Sequence, residues 1–170
     1  MAILSTLTKA QGTLTVTTIA DTETLVLAGK TYTFQTTLTD SNGNVLIGAD
    51  NTATMVNLAA AINLGAGAGT KYADSMTANP HCSAAASDET LIATAKVGGT
   101  VGDLIGCSDS LTSAAWDAAT LGTTTAGAGS AATAISEAHA RLTTILGVSQ
   151  VTAHLLKDIT LLINEMDGVD

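Results

Sequence analysis

The chain is poor in the residues that mark the commonest functional classes. Aromatics make up 2% of the 170 residues, so the core must be built from Val, Leu, Ile and Ala with few large anchors. Lys and Arg total 6 against 15 Asp and Glu, a formal charge of -9. Such a field repels a phosphate backbone and argues against nucleic-acid binding. It leaves room for a basic protein partner. No apolar run approaches the roughly 18 residues that a membrane-spanning helix needs, so no membrane partner is expected. The opening MAILSTLTKAQG lacks a basic segment ahead of an apolar one and does not read as a secretory signal, so synthesis in the cytoplasm without such export is expected. Two cysteines, Cys82 and Cys107, are too few for a disulfide scaffold.

What the chain does have is alternation. Residues 13–19 place Leu14 and Val16 on one face and Thr13, Thr15 and Thr17 on the other, the period of a half-buried strand. Residues 24–27 and 31–37 follow, with a tight reversal at Gly29-Lys30. The three read as an antiparallel meander. Asp40-Ser41-Asn42-Gly43-Asn44 is dense in turn residues and reads as a hairpin turn. It fails as a calcium loop, because the sixth and twelfth positions from Asp40 hold Val45 and Asn51. Residues 45–47 make a short strand.

Asp50 or Asn51 then caps a helix over residues 52–64, whose stripe is Met55, Leu58, Ala59 and Ile62. Ala60 and Ala61 thin its flanks and allow close packing on a sheet. The run Gly65-Ala66-Gly67-Ala68-Gly69 ends it and reads as a flexible surface turn. It is no dinucleotide fingerprint, because Thr70 stands where that motif needs glycine and the run follows a helix. Residues 78–86 read as a weak strand containing Pro80, and residues 91–95 as a clearer one. Gly98-Gly99-Thr100-Val101-Gly102 lacks the Lys-Ser/Thr ending of a phosphate loop. Residues 104–107 are short and apolar.

From Thr123 to Gly129 the composition is that of a linker. Beyond it the pattern is helical, as expected of a C-terminal α-helical hairpin. One stripe holds Ile135, Ala138, Leu142, Ile145 and Leu146, ended by Gly147; a second holds Val151, Leu155, Leu156, Ile159, Leu162, Ile163 and Met166. Two such helices cannot bury both stripes on each other. They need the β-rich body or another subunit. The expected fold is therefore α+β: an arm (residues 1–11), a small antiparallel β-rich module with one covered sheet and one packed helix (12–127), and a helical oligomerisation or docking segment (128–170). Its interface residues are Ile135, Leu142, Ile145, Leu146, Leu155, Leu156, Ile159, Leu162, Ile163 and Met166. The arm, with Ile3, Leu4 and Leu7, packs on its own domain or on a neighbouring subunit.

No catalytic constellation stands out. His81, Cys82 and Cys107 lack the four-ligand, short-spaced pattern of structural zinc. The cysteines read as two buried free thiols, with a Cys82–Cys107 disulfide as the alternative. His139, Arg141, His154, Lys157 and Asp158 read as solvated helix faces. No Ser sits in a G-x-S-x-G elbow. No cofactor or metal is expected.

The order of motifs carries a resemblance. GKTYTF (29–34), NVLIGA (44–49), NLAAAIN (57–63), GAGTKY (67–72), TAKVGGTVGD (94–103) and Trp116 follow one another as in a module that recurs in virion proteins of tailed bacteriophages, among head and tail accessory proteins. The resemblance covers residues 12–127 and does not extend to the helical tail. It implies a non-enzymatic assembly protein of the virion, partnered by a capsid or tail protein and by copies of itself, with a trimer as one arrangement. A capsid decoration protein is the favoured role. A tail, baseplate or fibre-attachment component is second. A carbohydrate-binding adhesin, drawing on Tyr32, Phe34, Tyr72 and Trp116 for stacking, is the alternative from another class.

Overall fold

A computed structural model describes residues 7–129. Eight strands and one α-helix follow in the order β1 (Gln11–Thr18), β2 (Thr24–Leu27), β3 (Lys30–Gln35), β4 (Asn44–Leu46), α1 (Asn51–Asn63), β5 (Cys82–Ser87), β6 (Thr90–Ala95), a short 3-10 helix (Thr100–Leu104), β7 (Cys107–Asp109) and β8 (Ser113–Trp116). They form two four-stranded sheets, ordered β5-β6-β1-β8 and β4-β3-β2-β7. The class is α+β, with antiparallel-rich sheets and one helix.

Two sheets, where one was expected, follow from how β1 is used. Its alternation is as read, with Leu14 and Val16 buried and Thr15 and Thr17 exposed. Its partners, however, are β6 and β8, not β2. Only β2 and β3 form the hairpin of the expected meander. A period of two fixes which face of a strand is buried; it does not say which neighbour pairs with it. The reversal between β2 and β3 is a two-residue turn at Ala28-Gly29, both at positive φ (53° and 74°), the signature of a type I′ loop.

The turn after β3 also departs from expectation. β4 runs parallel to β3, with Thr33 opposite Asn44 and Gln35 opposite Leu46, so residues 36–43 are a short crossover and not a hairpin turn. Thr39 holds this return together. Its N–H donates to Gln35 Oε1 (2.9 Å) and its carbonyl accepts from Asn44 Nδ2 (3.2 Å).

On one side the sheets are joined where residues 105–107 meet 119–121: Leu121 N–H donates to Ile105 O (3.0 Å) and Cys107 N–H to Ala119 O (2.9 Å). On the other side α1 fills the gap between β5 and β4. Asn57 Nδ2 donates to Leu46 O (2.9 Å), and Asn63 bonds the outer edge of β5 at Ala84. The helix buries Met55, Leu58 and Ile62, as its stripe predicts, against a core that includes Leu14, Leu25, Tyr32, Phe34 and Leu91.

Asp50 is the N-cap, its Oδ1 accepting from Ala53 N–H at 2.7 Å. The helix stops at Leu64, which takes the left-handed conformation (φ 53°) and not at the first glycine of the following run. That run is a bonded turn: Thr70 and Lys71 N–H donate to Gly67 O, and the buried Tyr72 hydroxyl donates to Gly65 O. The weak strand expected from residue 78 begins only at Cys82, leaving Pro80 and His81 outside it. Among the described residues no helix is long and apolar enough to cross a membrane.

Candidate interaction surface

The residues read from sequence as an interface, Ile135, Leu142, Ile145, Leu146, Leu155, Leu156, Ile159, Leu162, Ile163 and Met166, lie outside the described residues, as does the helical hairpin that would carry them. The described body supplies the surface those segments leave from, and it supplies the residues with chemical potential.

Cys82 and Cys107 are both free and both buried. Burial pushes the Cys82 thiol up to about 11, against the pull of Lys96. Burial likewise raises Cys107 to about 11, helped by the nearby negative charge of Asp117. Cys107 Sγ donates to Ala118 O at 3.2 Å. Thiols held so far above neutrality are protonated and poor nucleophiles. His81 is exposed and tied in through its backbone N–H. Among the described residues, no three His, Cys, Asp or Glu side chains come together as a metal site. One hollow of about 130 Å³ is lined by Leu38, Asp40, Gly69, Ala73 and Asp74, too small for a typical organic ligand. Asp40 accepts from Ser75 N–H there at 2.8 Å, and that bond holds its carboxyl below the usual range.

The polar side chain that sequence reading passed over is Asn79. It is fully buried and every bond it makes is architectural. Its Nδ2 donates to Leu27 O (3.0 Å) and reaches the Tyr32 hydroxyl (3.4 Å); its Oδ1 accepts from His81 N–H (3.0 Å) and Cys82 N–H (2.9 Å). One residue thus links the β2–β3 hairpin to the start of β5. Asn79 sits directly before Pro80, in a stretch with no periodicity, so only an unusual buried amide could have pointed to it.

The body has one pole where both ends of the described chain lie side by side. Thr8 and Ala128 exchange backbone hydrogen bonds (3.0 and 3.2 Å), Gly99 N–H donates to Thr8 O (2.8 Å), and Thr100 N–H donates to Gly129 O (3.3 Å). The segment read as a linker is bonded in throughout. The Gln11 carbonyl accepts from Gly122 and Thr124 N–H (2.9 and 3.1 Å), and Gly127 N–H donates to Asp103 Oδ1 (2.6 Å). At this pole three large apolar side chains face outward: Val97 (67% exposed), Val101 (51%) and Leu104 (78%). The expected apolar contribution of residues 104–107 is therefore split, with Cys107 inside and Leu104 outside.

Comparison with protein-family models, with curated proteins and with solved structures finds no match to the chain.

Proposed function

We propose that the chain is a non-enzymatic structural protein of a tailed-bacteriophage virion, and specifically a decoration protein that binds and reinforces the outer capsid lattice. The observation that carries this reading is the place of the resemblance-bearing motifs in the body. GKTYTF is the β2–β3 turn and strand β3, NVLIGA is β4 and the approach to the helix, and NLAAAIN is the second half of α1, with Asn57, Leu58, Ala59, Ala61 and Ile62 buried. These are positions that shape a scaffold. The buried polar side chains follow suit: Asn44, Thr54, Asn57 and Asn79 each bond backbone. Thr-rich exposed strand faces and a net acidic charge suit a repeated particle surface facing solvent.

In this reading the partner is a capsid protein of the same virion, and copies of the chain associate with one another through residues 128–170. Immunogold labelling of particles from a lysate tests it. Label over the head shell is the expected result. Label confined to the tail moves the protein to a tail, baseplate or fibre-attachment role, and particles without label overturn the virion reading altogether. Hydrolysis of glycan or peptidoglycan by the purified protein, lost on a single side-chain change, overturns its non-enzymatic part.

A further inference from the structure

We infer that the apolar face made by Val97, Val101 and Leu104 is the seat of the chain's own C-terminal segment, and that the stripe beginning Ile135, Ala138 and Leu142 is what covers it. The outward face is built by the fold. In a 3-10 helix residues three apart eclipse one another, so Val101 and Leu104 lie on one side of Thr100–Leu104. Gly102 occupies the inward side and is buried. A Cβ there would lie 2.9 Å from Ala10 Cβ and 3.0 Å from Ala95 Cβ, so the turn is pressed onto the ends of β1 and β6 and its two large side chains point away.

Two charges beside this face are turned elsewhere. Lys96 Nζ donates to Asn79 O at 2.5 Å, and Asp103 accepts from Gly127 N–H. Beside the exposed Lys9 and Thr100, Val97, Val101 and Leu104 present an outward apolar cluster, and exposed apolar clusters of this kind mark contact sites.

The occupant follows from where the described residues end. Gly129 O is bonded to Thr100 N–H, the first residue of the same 3-10 helix. Ile135 comes about six residues later, within a reach of at most about 20 Å even for extended chain. The first apolar residues beyond Gly129 are thus delivered to the exposed face without any long traverse. A partner arriving from elsewhere would have to displace or share it with a stripe already tethered beside it. The inference assigns only the first stripe to the body and leaves the second, from Val151 to Met166, for association between copies; it stands whether or not the protein serves in a virion, and unlabelled particles would leave it untouched.

Hydrogen exchange on the full chain tests it, comparing the native protein with a Val101→Lys, Leu104→Lys variant. Amides of residues 132–146 are expected to be protected in the native chain and to exchange at least about tenfold faster in the variant, with α1 and β6 unchanged. Fast exchange of residues 132–146 in the native chain, or protection that survives both substitutions, overturns the proposal. Protection that is lost in the variant but is also lost when the native chain is diluted would show that another copy's stripe is the occupant, and this too overturns it. A second measurement does not depend on that variant folding. A Leu104→Cys, Leu142→Cys chain is expected to form a disulfide at monomer mass on mild oxidation; a cross-link found only at oligomer mass overturns the proposal. Failure to cross-link overturns the pairing.

Discussion

The side chain of Asn63 stands in for a strand beside Ala84. Its Nδ2 donates to Ala84 O at 2.7 Å and its Oδ1 accepts from Ala84 N–H at 3.0 Å. A neighbouring strand would make the same pair of bonds to the outer edge of β5. The last residue of α1 therefore closes an edge that would otherwise offer itself to another chain. Asn63→Ala is expected to cost about 1 kcal/mol, the scale of exchanging such bonds for water. It should also raise self-association, because the freed edge becomes a template. Urea unfolding and sedimentation at several concentrations measure the two effects; an unchanged midpoint with unchanged association contradicts the assignment.

Asn79→Ala should be far more damaging. The change leaves Leu27 O and the Cys82 N–H without their Asn79 partner inside the core, and the His81 N–H without it at the core's edge. Each buried group left unsatisfied costs roughly 1–3 kcal/mol, so a loss of at least about 2 kcal/mol is expected. Asn79→Asp keeps an acceptor for the two N–H groups but removes the donor to Leu27 and brings a charge into the core, and it should not rescue the fold. A loss below about 1 kcal/mol in the alanine variant would mean that water replaces the amide.

Ala28 is a stabilisation target. It sits at φ 53° in the β2–β3 loop, where an L side chain is disfavoured by roughly 1–2 kcal/mol relative to the right-handed region. Ala28→Gly and Ala28→Asn are expected to raise the unfolding free energy, by up to about 1 kcal/mol once the extra backbone freedom of the unfolded glycine chain is counted. A lower thermal midpoint in both variants would show that the methyl group is needed where it lies.

Alkaline conditions should destabilise the protein before they harm it chemically. Burial raises Cys82 and Cys107 to about 11 from an ordinary value of 9.0, and Tyr32 to about 12 from 10.0. The unfolded chain loses these protons first, so the stabilisation is present in full below about pH 9 and is lost as pH rises through 11. Unfolding free energies measured from pH 7 to 10.5 should fall progressively above pH 9. Replacing both cysteines with alanine should flatten part of that slope. In the native protein at pH 8, both thiols should be silent to a thiol reagent until denaturant is added. Rapid reaction of either one there would contradict its burial.

Much of the local structure could be read from residues alone, because alternation and helical spacing are imposed by burial. Leu14 and Val16 on β1 and the stripe Met55, Leu58 and Ile62 on α1 fall where their pattern puts them, and the cap is Asp50, one of the two residues the sequence offers. Pairing was less legible. Nothing in residues 36–44 distinguishes a hairpin from a parallel return, because the decision rests on a side-chain staple between Gln35, Thr39 and Asn44 that forms only once the turn has closed. The glycine-rich run at 98–102 lacks the Lys-Ser/Thr ending of a phosphate loop, and its sequence suggests no other use. Its real use, to let Gly102 pack on Ala10 and Ala95 and turn Val101 and Leu104 outward, depends on contacts distant in sequence. The linker composition of residues 123–129 misled for the same reason, since small polar residues also suit a strap bonded along a neighbouring segment.

The paired backbone at Thr8 and Ala128 makes the described body a cassette with its inlet and outlet side by side. It could be spliced into an exposed loop of an unrelated host with little separation of the host's own ends. Equally, a short bridge joining residue 8 to residue 128 would allow the chain to be reopened at the Ala28-Gly29 loop as a circular permutant. Passengers fused to the body at residue 8 or residue 128 would both emerge from one pole and leave the opposite side of the body unobstructed.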